Sequence, residues 1–253
     1  MEALKKYEQI MKHQKYNNIV DSHVHWGPSI TLGMEVTTQM ILREQQETGV
    51  THVIILPFPS TAIMTNDVNI QIIAETKQIN HFIPYFYIRE NLPPIPEGYY
   101  GGKWHWMRGW QDTESNYSVL RDPELPELVA KLEKTGKPII FEEELDFTVQ
   151  FVNLFPNLKL IIPHLGMLGG NPLDFLKRFK NKENIYFDTA LGQKSTIQKF
   201  VRILGPERII FGSDIPFGSM ENELSKVLAL PLNDADMERI LCKNILEMTG
   251  YLI

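Results

Sequence analysis

The chain has 253 residues and a formal net charge of −6, with 43% hydrophobic and 22% charged residues. This composition is typical of a soluble globular protein, and the negative charge argues against nucleic-acid or anionic-membrane binding, which need a basic face. The single cysteine, Cys242, excludes an intrachain disulfide and favours a reducing, cytoplasmic compartment. No apolar run approaches the roughly 18 residues that a membrane span needs.

Predicted strands and helices alternate along the chain. Residues 1–17 are predicted to be a helical extension rich in Lys and Glu. β-Branched and aromatic runs then predict strands, which lie at residues 19–25, 50–56, 82–88, 99–106, 138–143, 159–164, 185–189 and 208–214. Residue composition predicts helices at 36–48, 66–80, 123–135, 146–155, 172–179 and 196–204, and two or three further helices at the C-terminal end of the chain. Residues 107–120 are expected to form a long loop over one end of the domain.

Eight strand–helix units in about 250 residues predict one α/β domain over residues 1–253, a closed (β/α)8 TIM-type barrel. The alternative is an open doubly wound sheet. That fold normally carries a glycine-rich phosphate loop after its first strand. This chain has His-Val-His-Trp-Gly-Pro at that position, which favours the barrel.

The segment Asp21-Ser22-His23-Val24-His25 lies at the end of the first predicted strand. Strand alternation would place the Asp21, His23 and His25 side chains on one face. Two imidazoles spaced in this way can bind one divalent ion, because neutral imidazole is a common ligand for zinc-like metals. An isolated His-x-His is more often solvated than metal-binding, so the pair needs support from elsewhere in the chain.

Other strand ends supply that support. The active sites of such barrels lie at the C-terminal ends of the strands. The fifth strand ends in Glu142, Glu143 and Glu144, the sixth in His164, and the eighth in Asp214. The metal ligands predicted from these positions are His23, His25, His164, Asp214 and an acidic residue of the fifth strand.

Three motifs in this order and spacing resemble the metal-dependent amidohydrolase superfamily, in its amidohydrolase-related (amidohydrolase 2) branch. They are the segment 21–25, Pro163-His164-Leu165-Gly166 and Phe211-Gly212-Ser213-Asp214-Ile215-Pro216, and residues 240–246 are similar to the family's closing helix. The resemblance implies hydrolysis of an amide, lactone or ester in a small carbonyl-containing substrate. It also implies a metal-activated water and Asp214 as the general base. One branch of the family instead decarboxylates small acids.

The fifth strand departs from the family pattern, because Glu142 stands where a histidine is usual. A carboxylate can still bind a divalent cation, so Glu142 is the expected ligand, with Glu144 as the alternative. The competing interpretation is that all three glutamates face solvent. A mixed nitrogen and oxygen site favours Zn²⁺ and leaves Mn²⁺ or Fe²⁺ as alternatives.

The fourth strand carries Lys103 and His105 on one face. In binuclear relatives a carbamylated lysine at this strand end bridges two metals, but those relatives also have the histidine that Glu142 replaces. We therefore expect a single ion, with Lys103 or His105 contacting substrate. Surface positions for both residues are an equal alternative.

Further polar residues are assigned supporting roles. Arg89 and Trp26 are candidates for substrate binding, although for Arg89 a surface ion pair with Glu90 or another acid is the favoured interpretation. Asp21 and Asp188 are expected to hold the histidines or nearby backbone in place.

The leading functional hypothesis is therefore a metal-dependent hydrolase with a small-molecule substrate. The alternatives are a decarboxylase on the same site and a non-catalytic barrel that binds a metal or a metabolite. No nucleic-acid or membrane partner is expected, and analogy with the family suggests a homodimer.

Overall fold

The fold was determined as a computed structural model that describes residues 15–30, 32–58, 67–89, 91–105 and 115–253. The predicted N-terminal helix and most of the predicted 107–120 loop lie outside these ranges. Among the described residues, no helix has both the length and the apolar character to cross a membrane.

Eight parallel strands form a nearly closed barrel with helices between them, as the alternation of elements predicts. The strands of the described residues are β1 Val20–His25, β2 Gly27–Ser29, β3 Met34–Val36, β4 His52–Leu56, β5 Phe82–Tyr87, β6 Gly101–His105, β7 Ile139–Glu142, β8 Leu160–Ile162, β9 Ile185–Asp188 and β10 Ile209–Ile210. The barrel order is β1-β4-β5-β6-β7-β8-β9-β10, whereas β2 and β3 form a separate antiparallel hairpin that the sequence analysis did not predict.

The first and last barrel strands meet through backbone hydrogen bonds. Ser22 N donates to Phe211 O at 3.0 Å, and Asp214 N donates to His23 O at 2.7 Å. These contacts bring His23 and Asp214, the first and last predicted ligands, together, although 191 positions of sequence separate them. The single-domain barrel is thereby confirmed, with strands generally shorter than the sequence predicts.

The α-helices of the described residues are α1 Thr38–Thr48, α2 Asp67–Thr76, α3 Leu125–Thr135, α4 Leu145–Leu154, α5 Pro172–Phe179, α6 Lys194–Leu204, α7 Met220–Leu228, α8 Asp234–Glu238 and α9 Asn244–Thr249. Glycines end α1 and α3 as predicted, because Gly49 and Gly136 adopt the left-handed conformation that glycine enters without a Cβ penalty (φ 78° and 68°). Near the C-terminus, the Asn244 amide donates to the carbonyls of Pro206 and Ile209, which ties α9 to the last barrel strand.

Alternation along the strands separates an outer core from an inner one. In β7, Ile139 and Phe141 pack in the large layer beneath the helices, while Ile140 belongs to a smaller cluster with Ile54, Ile161 and other barrel residues. Glu142 lies two positions after Ile140 and therefore shares its inward face. The barrel is apolar toward the N-terminal ends of its strands and presents polar groups at the C-terminal ends.

Candidate active site

Five ligand-type side chains from the ends of four barrel strands converge at the C-terminal edge of the barrel. Two groups bring one ligand atom per residue within 4.8 Å of each other: His23, His25 and Asp214 in the first, and His23, Glu142 and His164 in the second. The structure therefore brings together the five residues that the sequence analysis nominated as ligands. Their role as ligands stays a prediction, because geometry alone does not show that an ion binds.

The first group is centred on one carboxylate oxygen of Asp214. Its Oδ1 atom lies 3.3 Å from His23 Nε2 and 3.2 Å from His25 Nε2. All three residues are buried, and Asp214 Oδ1 accepts no hydrogen bond from the described residues. A buried carboxylate oxygen without a partner is costly, so this arrangement favours a cation at the same point.

Asp188, at the end of β9, determines which nitrogen of His23 faces the cluster. His23 Nδ1 lies 2.8 Å from Asp188 Oδ2, and both side chains are fully buried. An ionised carboxylate only accepts hydrogen bonds, so Nδ1 carries the proton and Nε2 presents a lone pair. His23 is thus prepared to bind a metal ion through Nε2.

His164 is oriented by a turn that follows β8. His164 and Leu165 both adopt left-handed backbone conformations (φ 55° and 56°), and Gly166 continues the turn with φ 87°. The His164 N–H donates to Asp188 Oδ1 at 2.8 Å, and His164 Nδ1 lies 3.3 Å from the Ala190 carbonyl. A carbonyl also only accepts, so the Nε2 lone pair of His164 faces the cluster, 3.8 Å from Asp214 Oδ2.

Glu142 forms the second half of the site together with Lys103 and His105, the two basic side chains of β6. Its Oε2 atom accepts a hydrogen bond from Lys103 Nζ and lies 3.4 Å from His105 Nδ1. Its Oε1 atom faces the other way and lies 3.7 Å from His164 Nε2. Lys103 Nζ also lies 3.4 Å from His23 Nε2, so the lysine contacts both the glutamate and the first histidine.

Burial and neighbouring charges set the protonation of these groups. Burial lowers the pKa of His25 to about 4, so the imidazole is neutral near pH 7 and its lone pair is available. Burial alone would raise the pKa of Glu142, but Lys103 and His105 outweigh it and hold that pKa well below its usual range. The neighbouring histidines likewise outweigh burial and lower the pKa of Asp214.

These observations fit a divalent cation. Neutral imidazole nitrogens and ionised carboxylates are the donors that Zn²⁺ and Mn²⁺ bind. Two of the histidines have their lone pairs directed into the cluster by hydrogen bonds from their other nitrogen, and Asp214 Oδ1 lacks a hydrogen-bond donor among the described residues. A cation next to these atoms would satisfy all of them at once.

Asp21 holds the backbone of the two segments that carry His23 and Asp214. It is fully buried, and its Oδ1 atom accepts from His23 N at 3.1 Å and from Ser213 N at 2.9 Å. The β1 register shifts between Asp21 and Val24, so simple alternation does not hold through the motif. Burial raises the pKa of Asp21 to about 7. Asp188 thus contacts the ring of His23, whereas Asp21 links the backbone of residues 21–25 to that of residues 211–216.

The three glutamates at the end of β7 have different environments, and none of them fits the solvent-facing interpretation. Glu142 faces the cluster with a side chain only 11% exposed. Glu143 is buried and accepts a 2.9 Å hydrogen bond from Trp104 Nε1. Glu144 precedes α4 and accepts from the Tyr117 hydroxyl, so the geometry favours Glu142 over Glu144 as a ligand.

The other substrate-binding candidates lie apart from this set of contacts. Trp26 is partly buried, and its Nε1 donates to Thr38 Oγ1 at 3.0 Å, toward α1. Arg89 follows β5 and is partly exposed, and its suggested partner Glu90 lies outside the described residues. Substrate contact by Trp26, Arg89, Lys103 or His105 stays a prediction.

Two aromatic residues at the site were missed by sequence reasoning. Phe58 stacks on the His25 ring with centroids 4.6 Å apart, and Phe217 meets the same ring edge-on at 5.8 Å. Phe58 lies just after a barrel strand and Phe217 just after the Asp214 motif, so their positions could have suggested a site role. Phe217 is 53% exposed and thus contributes an apolar surface near His25.

Comparison with known proteins supports the resemblance seen in the motifs. A family model described as amidohydrolase matches residues 105–250. No curated protein sequence matches the chain significantly.

Several solved structures share the fold. A dihydroxybenzoic acid decarboxylase from Polaromonas, with bound manganese and the inhibitor 2-nitroresorcinol, is 13% identical with a TM-score of 0.72, covering 93% of this chain and 97% of its own. An amidohydrolase from Burkholderia multivorans with bound zinc is 12% identical with a TM-score of 0.73, covering 93% and 100%. A putative 2-pyrone-4,6-dicarboxylic acid hydrolase from Pseudomonas putida is 14% identical with a TM-score of 0.73, covering 94% and 99%.

Proposed function

The chain belongs to the amidohydrolase family, and from this premise we propose that it is a metal-dependent hydrolase. Its substrate would be a small carbonyl-containing molecule with an amide, lactone or ester bond. The observation that carries the proposal is the convergence of His23 Nε2 and His25 Nε2 on the Oδ1 atom of Asp214. This oxygen is buried and accepts no hydrogen bond from the described residues.

The proposed ion is held by His23, His25 and Asp214, with His164 and the Oε1 atom of Glu142 as additional donors. Zn²⁺ is the proposed metal, and Mn²⁺ is the first alternative because the site combines nitrogen and oxygen donors. When bound, such an ion would polarise a substrate carbonyl and lower the pKa of a nearby water.

The protein residues would perform the proton chemistry and the positioning. Asp214 is ionised near neutral pH, because the neighbouring histidines lower its pKa. Its carboxylate can therefore accept the proton from a water that attacks the carbonyl carbon, and later return that proton to the leaving group. Phe58 and Phe217 would exclude water from one side of His25.

Decarboxylation on the same site is the second candidate, and a specific feature favours it. Lys103 and His105 place two basic side chains next to the cluster, where they could bind a substrate carboxylate. Burial opposes protonation of His105, but Glu142 outweighs burial and raises the pKa of that imidazole. In that reaction the C–C bond breaks, CO₂ leaves, and the vacated carbon takes up a proton.

A metal and activity assay tests both candidates. The purified protein is analysed for bound metal and then assayed on a panel of esters, lactones, amides and aromatic acids, with and without a chelator. We expect chelator-sensitive turnover of one substrate class that returns with added Zn²⁺ or Mn²⁺. A protein that neither retains nor rebinds a divalent ion would overturn the proposal.

Asp214→Asn provides the matching variant. Asparagine tolerates the left-handed conformation of Asp214 (φ 59°), so the backbone should be preserved. We expect a loss of turnover of about 10²–10⁴-fold, the usual contribution of a general base, while some metal binding persists. Asp174→Asn, on the exposed surface of α5, is the control and should leave activity unchanged. Wild-type turnover in Asp214→Asn would contradict the assigned role.

A further inference from the structure

We propose that Glu223, on helix α7 outside the barrel, is a positioning residue that holds the ring of His164 in the orientation needed for metal binding. It acts through the peptide group between Ala190 and Leu191, which contacts both side chains. The inference rests on the proposed metal site and adds to it a residue from the outer layer of helices.

One peptide group links the two side chains. Its carbonyl oxygen, that of Ala190, lies 3.3 Å from His164 Nδ1, and its N–H, that of Leu191, donates to Glu223 Oε2 at 2.9 Å. A trans peptide group is planar, so its carbonyl and its N–H point in opposite directions. When Glu223 fixes the N–H, it therefore also fixes the direction in which the carbonyl faces the His164 ring.

The backbone around this peptide group needs an external contact to keep its orientation. Leu191 adopts a left-handed conformation (φ 56°), which is unfavourable for leucine. Asp188 Oδ1 accepts from Ala190 N at 3.1 Å, but that N–H belongs to the preceding peptide group. Rotation about the backbone bonds on either side of the Ala190–Leu191 peptide would turn its carbonyl while the Asp188 contact remained. The hydrogen bond to Glu223 removes this freedom.

Glu223 is itself held in place. Its side chain is only 7% exposed, and Lys226 Nζ, one turn later on α7, lies 2.5 Å from the same Oε2 atom. Lys226 Nζ also donates to Gly192 O at 2.9 Å, so the ion pair binds the turn after β9 at two successive residues. A Cβ atom on Gly218 would lie 3.4 Å from Glu223 Cγ, which shows that the segment after β10 packs closely on the glutamate. The carboxylate therefore has a defined position from which it can hold the turn.

NMR of the metal-free protein with ¹⁵N-labelled histidine tests the inference. Glu223→Met and Glu223→Ala both remove the carboxylate acceptor, and the methionine keeps most of the side-chain length. In Glu223→Gln, the amide oxygen can still accept from the Leu191 N–H. Glu221→Ala is the matched control, because Glu221 is exposed and lies in the same first turn of α7. The His164 signals are identified by their absence from the spectrum of His164→Gln, and circular dichroism checks the fold of each protein.

Spectra are recorded well above the ordinary imidazole pKa of about 6.5, so that tautomers are compared. We expect the wild-type His164 ring to carry its proton on Nδ1, where the Ala190 carbonyl accepts it. The signals should shift toward a mixture of tautomers in Glu223→Met and Glu223→Ala, and should stay as in the wild type in Glu223→Gln and Glu221→Ala. A loss of stability alone would leave the ring signals unchanged.

Wild-type ring signals in whichever of Glu223→Met and Glu223→Ala is folded would overturn the inference. A wild-type His164 that carries its proton on Nε2 would also overturn it, and this result needs no variant at Glu223.

Zinc affinity, measured by isothermal titration, connects the inference to the proposed site. Glu223→Met should bind Zn²⁺ about 10-fold more weakly than the wild type, at the lower end of the usual effect of losing a group that orients a ligand. Glu223→Gln and Glu221→Ala should bind it normally. Equal affinities in all four folded proteins would overturn the inference and leave the proposed function standing. No zinc binding by the wild type would instead contradict the proposed function, and the NMR comparison would still decide whether Glu223 orients His164.

Discussion

His23 and Asp188 form a fully buried pair in which Nδ1 of the imidazole donates to Oδ2 of the carboxylate across 2.8 Å. The same Asp188 accepts from the backbone N–H of His164 through its other oxygen. One carboxylate at the end of β9 therefore orients two of the proposed metal-binding histidines, which lie on β1 and after β8. This links the tautomer of His23 to the backbone position of His164.

Asp188→Asn should weaken metal binding about 10–100-fold, the usual effect of losing a group that orients a ligand. The new amide can keep its oxygen toward the backbone N–H groups and present its NH₂ to His23. His23 Nδ1 then becomes an acceptor and Nε2 carries the proton, so the lone pair is lost from the cluster. Isothermal titration with Zn²⁺ measures the affinity, and the exposed Asp174→Asn is the control. Equal affinities in the two variants would contradict this role for Asp188.

Glu142→Gln should lower the free energy of unfolding of the metal-free protein by about 3 kcal/mol, because it leaves the Lys103 ammonium buried without its carboxylate. Urea unfolding measures the change. Glu127→Gln is a matched control, since Glu127 pairs with Lys131 on the surface of α3 with both side chains more than half exposed. That variant should show no measurable change. Similar changes of unfolding free energy in both variants would mean that the buried Lys103–Glu142 pair stabilises the fold no more than an exposed pair does.

His25 should make the metal-free protein less stable in acid. Its pKa is about 4 when folded and about 6.5 when exposed, so its neutral form stabilises the fold above pH 6.5. This stabilisation is lost as the pH falls toward 4, because the unfolded chain binds the proton first. Burial raises the pKa of Asp21 and acts in the opposite direction, so the wild-type stability alone does not isolate His25.

The comparison with His25→Gln isolates this effect. Between pH 7 and pH 5, the wild type should lose about 2 kcal/mol of unfolding free energy relative to the variant. Denaturant titrations at both pH values in chelator measure this difference. A difference that does not change with pH would show that His25 is not buried as a neutral group.

Gly166→Ala should distort the turn that holds His164. A Cβ atom on Gly166 would lie 2.4 Å from Phe175 Cγ, and its φ of 87° is already unfavourable for alanine. We expect a loss of about 3 kcal/mol in stability and weaker metal binding. Gly136→Ala is the control, because its φ is 68° but its Cβ would meet no atom within 4 Å. That variant should lose only about 1 kcal/mol and bind metal normally.

The sequence by itself determined the architecture and the order of the candidate ligands. Alternating runs of strand and helix residues predict the barrel, because parallel strands need helical connections. In such a barrel His23, Glu142, His164 and Asp214 must meet at one edge, since they end strands or directly follow them. Both conclusions depend only on local composition and on a general rule for the fold.

Only the tertiary structure decided how those residues are paired. The partner of His23 is Asp188, 165 positions away, and the partner of Lys103 is Glu142, 39 positions away. Alternation gives the face of a side chain but not its neighbours across the barrel, which depend on strand register, on the shift within β1 and on barrel closure. For the same reason, the sequence did not determine the stacking of Phe58 on His25 or the β2–β3 hairpin. Nor did it determine the separate environments of Glu142, Glu143 and Glu144.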